Sequence, residues 1–130
     1  MPPRQSATLT EAELRIMDVL WQRGSGTVQE VLERLSMRPV LAYNSVLTTI
    51  RVLEKKGYVT HNATDGRAHV YVPVIAQGEA RKSEIRHLVN RFFKNSHEQL
   101  VLNILEERGI EPDELNRLRR MLERSNKKFK

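Results

Sequence analysis

The sequence predicts a mainly α-helical protein with one small β-hairpin. Apolar side chains recur at helical spacing in three segments before residue 57 and in three more after residue 76. Between these groups lie two short β-prone runs on either side of Asp65-Gly66, a pair typical of tight turns. The order helix, helix, helix, hairpin is that of a winged helix, a variant of the helix-turn-helix. We therefore expect a winged-helix domain at residues 1–75 and a helical domain at residues 76–130.

The first two helices begin with the same signal. Thr10 and Glu13, and again Thr27 and Glu30, have the spacing of a capping box. In a capping box the hydroxyl and the carboxylate each accept a hydrogen bond from a backbone amide at the start of the helix. The apolar side chains expected to be buried are Leu14, Met17, Leu20 and Trp21 in the first helix and Val28, Val31, Leu32 and Leu35 in the second.

The third helix is expected to run from about Ala42 to Lys56, and Gly57 is expected to end it. Its apolar side is formed by Val46, Ile50 and Leu53. Its polar side is formed by Asn44, Thr48, Arg51 and Lys55. A mixed polar stripe usually means ordinary solvent exposure, but a winged helix presents this helix to the DNA major groove. The stripe is therefore a candidate DNA contact surface.

The hairpin is expected to pair Tyr58–His61 with His69–Val72. His61 and His69 lie symmetrically about its tip and could face each other. Two histidines beside a carboxylate could bind a divalent ion. A cross-strand pair on a polar face is the simpler interpretation, so no metal site is expected.

Composition limits the classes of function. The net charge is +6, from 22 Lys+Arg and 16 Asp+Glu, which favours polyanionic partners such as nucleic acid. The absence of cysteine excludes disulfides and fits the cytoplasm. The sequence contains no nucleophile elbow, glycine-rich phosphate loop or HExxH motif, so neither an enzyme nor a cofactor is expected. It also contains no apolar run long enough to insert into a membrane.

Residues 76–130 predict three short amphipathic helices with no strand between them. A segment of about 55 residues is too small to bury that much apolar surface alone. We expect a twofold dimer in which each copy covers the other, and the alternative is a monomer whose helices fold back on the winged helix. The expected interface residues are Ile85, Leu88, Phe92, Leu100, Val101, Ile104, Leu105, Leu118 and Leu122.

Four segments, in order and spacing, resemble the penicillinase-repressor family of the BlaI/MecI type. They are LTEAELRIMDVLW, TVQEVLERL, LAYNSVLTTIRVLEKKGYV and LVLNILEE, and the resemblance covers residues 9 to 124. The resemblance implies a bacterial homodimeric transcriptional repressor with a winged helix on double-stranded DNA and a helical dimerisation domain. It also implies an operator similar to inverted repeats of TACA and TGTA.

The resemblance places AYNSVLT at the start of the recognition helix. It implies that Asn44, Ser45 and Thr48 contact bases, and their side chains suit this role because Asn pairs well with adenine and Ser or Thr can bond either strand. Arg51 and Lys55 lie one to two turns later, where phosphates are the better partners.

Two further residues are candidates with open alternatives. Tyr43 is expected nearer the buried side, where it either packs or extends its hydroxyl to a phosphate. Arg67, at the wing tip, fits a backbone or minor-groove contact, or is a solvated turn residue. The alternative function is a winged helix used only as a protein-interaction module, whose docking face would carry an exposed aromatic or aliphatic anchor.

The resemblance also implies a route of inactivation. Family members are cleaved between an Asn and a large apolar residue in the helix that LVLNILEE matches, after a membrane metalloprotease sensor is triggered. The matching bond is Asn103–Ile104, with Ile where the family usually has Phe. The alternative is that Asn103 is a solvated or hydrogen-bonded structural residue.

Overall fold

The computed structural model describes residues 8–35, 42–62, 68–107 and 109–128. Within these ranges the predicted order of helices and hairpin is confirmed. The elements are α1 (Glu11–Arg23), α2 (Val28–Arg34), α3 (Tyr43–Lys56), β1 (Val59–Asn62), β2 (Val70–Pro73), α4 (Gln77–Phe92), α5 (His97–Glu106) and α6 (Pro112–Lys128). The chain forms two compact units, Met1–His87 and Leu88–Lys130.

Both predicted capping boxes are confirmed. The Thr10 hydroxyl accepts from the Glu13 amide at 3.2 Å, and Glu13 Oε1 accepts from the Thr10 amide at 2.8 Å. At α2 the equivalent distances between Thr27 and Glu30 are 3.1 and 2.9 Å. The hydrogen bond from the Thr27 amide lowers the pKa of Glu30, and the nearby Arg23 guanidinium lowers it further. Each box satisfies two amides that the helix itself leaves without partners.

The core of the first unit is formed by one face of each helix and the base of the hairpin. Its buried members are Ile16, Met17, Leu20, Val28, Val31, Val46, Ile50, Leu53, Tyr58, Val59, Tyr71, Ile75 and Ala80. The predicted α1 face was partly wrong, because Leu14 is exposed and Trp21 only partly buried. The buried face of α1 is centred on Ile16 and Met17, which places Leu14 and Trp21 on its flank. The Trp21 indole N–H donates to the carbonyl of Ile75 at 2.9 Å.

The hairpin is antiparallel, with His61 opposite Tyr71 and Thr60 opposite Val72. Each strand begins one residue later than predicted. Tyr58, just before β1, packs in the core. Gly26 adds an isolated bridge to Tyr71, with N···O distances of 3.0 and 2.8 Å. The predicted turn at Asp65-Gly66 lies outside the described residues.

The segment before α1 is joined to two distant helices. The Lys56 ammonium donates to the Thr8 carbonyl at 3.0 Å and pairs with Glu13 at 2.7 Å. The Leu9 amide donates to Glu84 of α4 at 2.8 Å. These contacts, with the buried Ala80, place the beginning of α4 in the first unit. The division between the units therefore falls within α4, later than the expected boundary after residue 75.

The second unit contains the end of α4 and two further helices. After α4 the chain turns through two residues with positive φ, Lys94 and Asn95, and the Asn95 amide donates to the Val89 carbonyl at 3.0 Å. Ser96 then caps α5 by accepting from the Gln99 amide at 3.1 Å. α6 begins at Pro112. Among the described helices, none is both long and apolar enough to cross a bilayer.

Much apolar surface of the second unit has no cover in the described chain. α5 contains no buried residue. Val89 is buried, but Phe92 is 68% exposed and Leu122 is 71% exposed. The other exposed large apolar side chains of this unit are Leu88, Val101, Leu102, Ile104, Leu105, Leu118 and Met121.

Candidate nucleic-acid interface

The exposed face of α3 carries the polar side chains that the sequence indicated. Val46, Ile50 and Leu53 are fully buried, which fixes the rotation of the helix about its axis and directs the opposite face outwards. The predicted contact residues Asn44, Ser45, Thr48, Arg51 and Lys55 are all exposed. The structure thus brings these five residues to one continuous surface.

The cations of this surface are available to a partner. Among the described residues, neither Arg51 nor Lys55 forms an ion pair. The first turn of α3 contains no acidic residue, and its N-cap, Ala42, provides no side-chain cap. The positive end of the helix dipole and two unpaired cations therefore lie along one helix, which favours a negatively charged partner.

The end of α3 is held in place by backbone geometry and by an ion pair. Gly57 has φ +88°, a conformation that side chains with a Cβ rarely adopt, and its amide donates to the Glu54 carbonyl at 3.1 Å. One residue earlier, Lys56 pairs with the buried Glu13 of α1. Sequence reasoning did not identify this pair, since 43 residues separate its partners.

Tyr43 lies nearer the buried side of α3, as predicted, but its side chain is 43% exposed. It shares the side of Ile50 but lies two turns earlier, at the first residue of the helix, where the core does not cover it. Leu47, between them, is only partly buried against the core. Arg67, the predicted wing-tip contact, lies outside the described residues.

A polar contact joins α3 to the hairpin. His61 Nδ1 lies 2.7 Å from Glu54 Oε2, and the His61 ring lies 4.3 Å from that of His69, centroid to centroid. The expected facing of the two histidines is thus present. Burial raises the pKa of the neighbouring Tyr71, and the charge of Glu54 raises it further, while Arg51 opposes the effect.

The described residues do not support a metal site at these histidines. They include no group of three or more His, Cys, Asp or Glu side chains arranged to hold an ion. His61 Nδ1 already faces Glu54. The Glu54–His61 contact was not anticipated, although both residue types and their proximity along the chain were visible in the sequence.

Comparison with known proteins decides the family. The model of the penicillinase repressor family matches residues 9–124. The chain belongs to this family. It is 31% identical over 115 residues to the penicillinase repressor of Bacillus licheniformis, covering 88% of this chain and 89% of that protein. It is 36% identical over 116 residues to the transcriptional regulator BlaI of Mycobacterium tuberculosis, covering 88% and 82%.

A more distant relative within the penicillinase repressor family is the methicillin resistance regulatory protein MecI of Staphylococcus aureus. It is 23% identical over 114 residues, which cover 88% of this chain and 92% of that protein. Among solved structures, the solution structure of the DNA binding domain of the repressor BlaI matches with a TM-score of 0.51 and 30% identity. The match covers 59% of this chain and 92% of that one. The predicted winged helix is thereby confirmed. The relatives are transcriptional repressors and regulators, which agrees with the expectation that the chain is not an enzyme.

Proposed function

We propose that this protein is a sequence-specific transcriptional repressor that binds double-stranded DNA as a homodimer in the cytoplasm. The observation that carries the proposal is the surface of α3, where five polar or cationic side chains are exposed opposite three fully buried ones. Relatives named as repressors, and the likeness to a repressor's DNA binding domain, support it.

Two kinds of contact are assigned along α3. Asn44, Ser45 and Thr48 occupy its first two turns and offer the hydrogen-bonding groups that read base edges. Arg51 and Lys55 lie further along, as cations without ion-pair partners in the described chain, and would bind phosphates. Tyr43, being exposed, is added as a phosphate contact through its hydroxyl, and Arg67 as a wing contact.

Residues 76–130, which comprise α4 and the remainder of the second unit, are proposed to hold two copies together. A second copy would cover the exposed apolar surface of α4, α5 and α6. The segment is too short to bury this surface by itself. On this proposal residues 1–75 bind DNA and residues 76–130 dimerise. The interface includes Ile85, Leu88, Phe92, Leu100, Val101, Ile104, Leu105, Leu118 and Leu122. A twofold dimer then requires an inverted repeat, similar to TACA and TGTA, as its operator.

Binding to two duplexes tests the proposal directly. Fluorescence anisotropy would compare the full chain on a duplex of about 30 base pairs carrying an inverted TACA/TGTA repeat and on a scrambled duplex of the same composition. We expect clearly tighter binding to the repeat. Gln22→Ala, at an exposed position of α1 and not on α3, is the matched control and should leave the preference intact. Equal binding to both duplexes would favour the alternative, a protein-interaction module, for which the exposed Tyr43 would be the anchor.

Release from DNA is proposed to occur by cleavage of the Asn103–Ile104 bond by a membrane metalloprotease sensor. Both residues are exposed on α5. The Asn103 side-chain amide donates to the Gln99 carbonyl at 2.9 Å, so it is also a structural residue of the helix. A protease binds an extended chain, so α5 must unfold locally before cleavage.

Mass spectrometry of the protein from β-lactam-treated host cells tests this route. We expect a fragment that ends at Asn103, with Asn103→Ala as the control that stays intact. Because Ile stands in the place of the family's usual Phe, Ile104→Phe should increase the yield of the fragment. An intact chain in cells whose target genes are switched on would contradict cleavage as the means of release.

A further inference from the structure

The contact between α3 and β1 does more than complete the core. Glu54 and His61 meet at 2.7 Å, and their side chains are 31% and 34% exposed. Because a carboxylate oxygen only accepts hydrogen bonds, His61 Nδ1 carries the hydrogen and donates it. Because both side chains are about one-third exposed, the contact lies at the surface of the unit, outside the apolar core that holds the base of the hairpin.

The same contact extends across the hairpin. His61 is opposite Tyr71 in the strand register, with ring centroids 5.5 Å apart, and its ring also lies against that of His69, just before β2. One carboxylate on α3 is thus linked to side chains of both arms of the hairpin. The described arms are only four residues each, and a short hairpin depends on its packing for support. The bridge to Gly26 holds β2 at Tyr71, whereas the contact with Glu54 joins β1 to α3 at His61.

An acidic side chain on this flank needs an explanation. Glu54 lies one turn after Arg51, on a helix proposed to approach phosphates. A carboxylate there repels DNA, so Glu54 favours binding only if another contribution offsets this repulsion. Its pairing with His61 provides such a contribution.

We propose that Glu54 is a positioning residue, which through His61 and His69 fixes the direction of the β1–β2 hairpin relative to α3. This inference rests on the proposed function, since a correctly directed hairpin reaches the DNA backbone beside the groove that α3 occupies. Glu54 itself does not contact DNA.

The direction in which Glu54→Ala changes operator affinity distinguishes a positioning role from simple repulsion. If Glu54 only repels DNA, Glu54→Ala raises affinity. If Glu54 positions the hairpin, Glu54→Ala lowers the affinity of the full chain for the operator duplex, between about threefold and tenfold. Glu54→Gln keeps a side-chain oxygen that can accept from His61 and removes the charge, so it retains or raises affinity.

Two comparisons identify the hairpin as the element affected. On a duplex trimmed at the flank that the hairpin would reach, Glu54→Ala should bind as well as the unmodified chain does. In a double-mutant cycle, His61→Ala should add little to Glu54→Ala, because one contact is lost in both. Lys55→Ala is the matched control, and its loss of affinity should be the same on both duplexes and additive with His61→Ala.

A measurement without DNA completes the test. Residual dipolar couplings of backbone amides in β1, β2 and α3 report the angle between hairpin and helix. We expect this angle to change in Glu54→Ala and to be retained in Glu54→Gln, while circular dichroism shows both variants folded. An unchanged angle in Glu54→Ala, or a rise in its operator affinity, would overturn the inference. If the unmodified chain showed no preference for the operator, the proposed function would fail, and the dipolar couplings would still decide the role of Glu54.

Discussion

At the scale of single residues, the side chains of α3 divide by their position along the helix. Asn44 and Thr48 occupy its beginning, and Arg51 and Lys55 its later turns. All four are exposed while the opposite face is buried, so each can be replaced without opening a cavity in the core. Their substitution can therefore report on binding rather than on folding.

Asn44→Ala and Thr48→Ala should each reduce the discrimination between operator and random DNA. The expected loss is ~1–3 kcal/mol for each good base contact, because a base edge then loses its partner. Competition binding against random DNA measures this. Should Asn44→Ala retain the full operator preference, the assigned base-reading face would be wrong.

Arg51→Ala and Lys55→Ala should weaken binding to operator and random DNA alike. A cation on a phosphate releases a counterion when it binds, so each substitution should lower the slope of log affinity against log salt by about one. Anisotropy titrations at several salt concentrations measure the slope. A slope unchanged in both variants would place these cations away from the phosphates.

Tyr71 should make the fold sensitive to alkali. Burial raises its pKa above the ordinary 10.0 in the folded chain. Below that ordinary value both states keep the proton and this contribution to stability is complete. As the pH rises beyond it, the unfolded chain ionises first and stability falls until the folded pKa is passed.

Urea unfolding at pH 8 and at pH 11 tests this sensitivity. Between these two pH values, Tyr71→Phe should lose less stability than the unmodified chain does. Tyr43→Phe, at an exposed position, is the control and should lose as much as the unmodified chain. Equal alkaline losses in all three proteins would contradict the expectation.

At the scale of elements, helix ends were the most predictable feature. Thr10 and Thr27 cap their helices as their spacing with Glu13 and Glu30 predicted, because a capping box is made within four consecutive residues. Local signals of this kind depend little on the remainder of the fold.

The features that sequence reasoning missed depend on how separate elements pack against one another. The exposure of Tyr43 depends on where the core ends, and the Leu9–Glu84 contact spans 75 residues. The contact between His61 and Glu54 depends on the angle between α3 and the hairpin, which the sequence does not give. The residues of the candidate interface were nevertheless identified, since the rotation of α3 follows from its own apolar stripe.

Thr10→Ala should lower the free energy of unfolding by about 0.5–2 kcal/mol, since the amide of Glu13 loses its acceptor at the start of α1. Thr10→Ser retains the hydroxyl and should cost much less. Thermal and urea unfolding measure both variants. If the serine variant were as unstable as the alanine variant, the cap would not be the source of the stabilisation.

At the scale of the whole molecule, the exposed apolar side chains of α4, α5 and α6 determine the expected assembly. Leu88→Asp or Leu105→Asp places a charge on this surface, so we expect monomers in sedimentation at micromolar concentration and weaker operator binding. In the dimer, binding of one copy raises the effective concentration of the other copy at the second half-site, and this gain is lost when the dimer separates.

The control for assembly is Gln99→Asp, which adds the same carboxylate at an exposed polar position of α5. It should leave the dimer intact. A monomeric unmodified chain at micromolar concentration would contradict the dimer.

The contacts of Thr8 and Leu9 also impose an order on biosynthesis. Leu9 must wait for Glu84, 75 residues later, and Thr8 for Lys56, 48 residues later. At about 5–20 residues per second, the ribosome takes roughly 4–15 s to synthesise the longer interval. Until Lys56 has been synthesised the segment before α1 lacks both contacts, and until Glu84 has been synthesised it still lacks the second. The first unit is therefore completed only as α4 emerges, shortly before the segment proposed to bind a second copy follows it out of the exit tunnel.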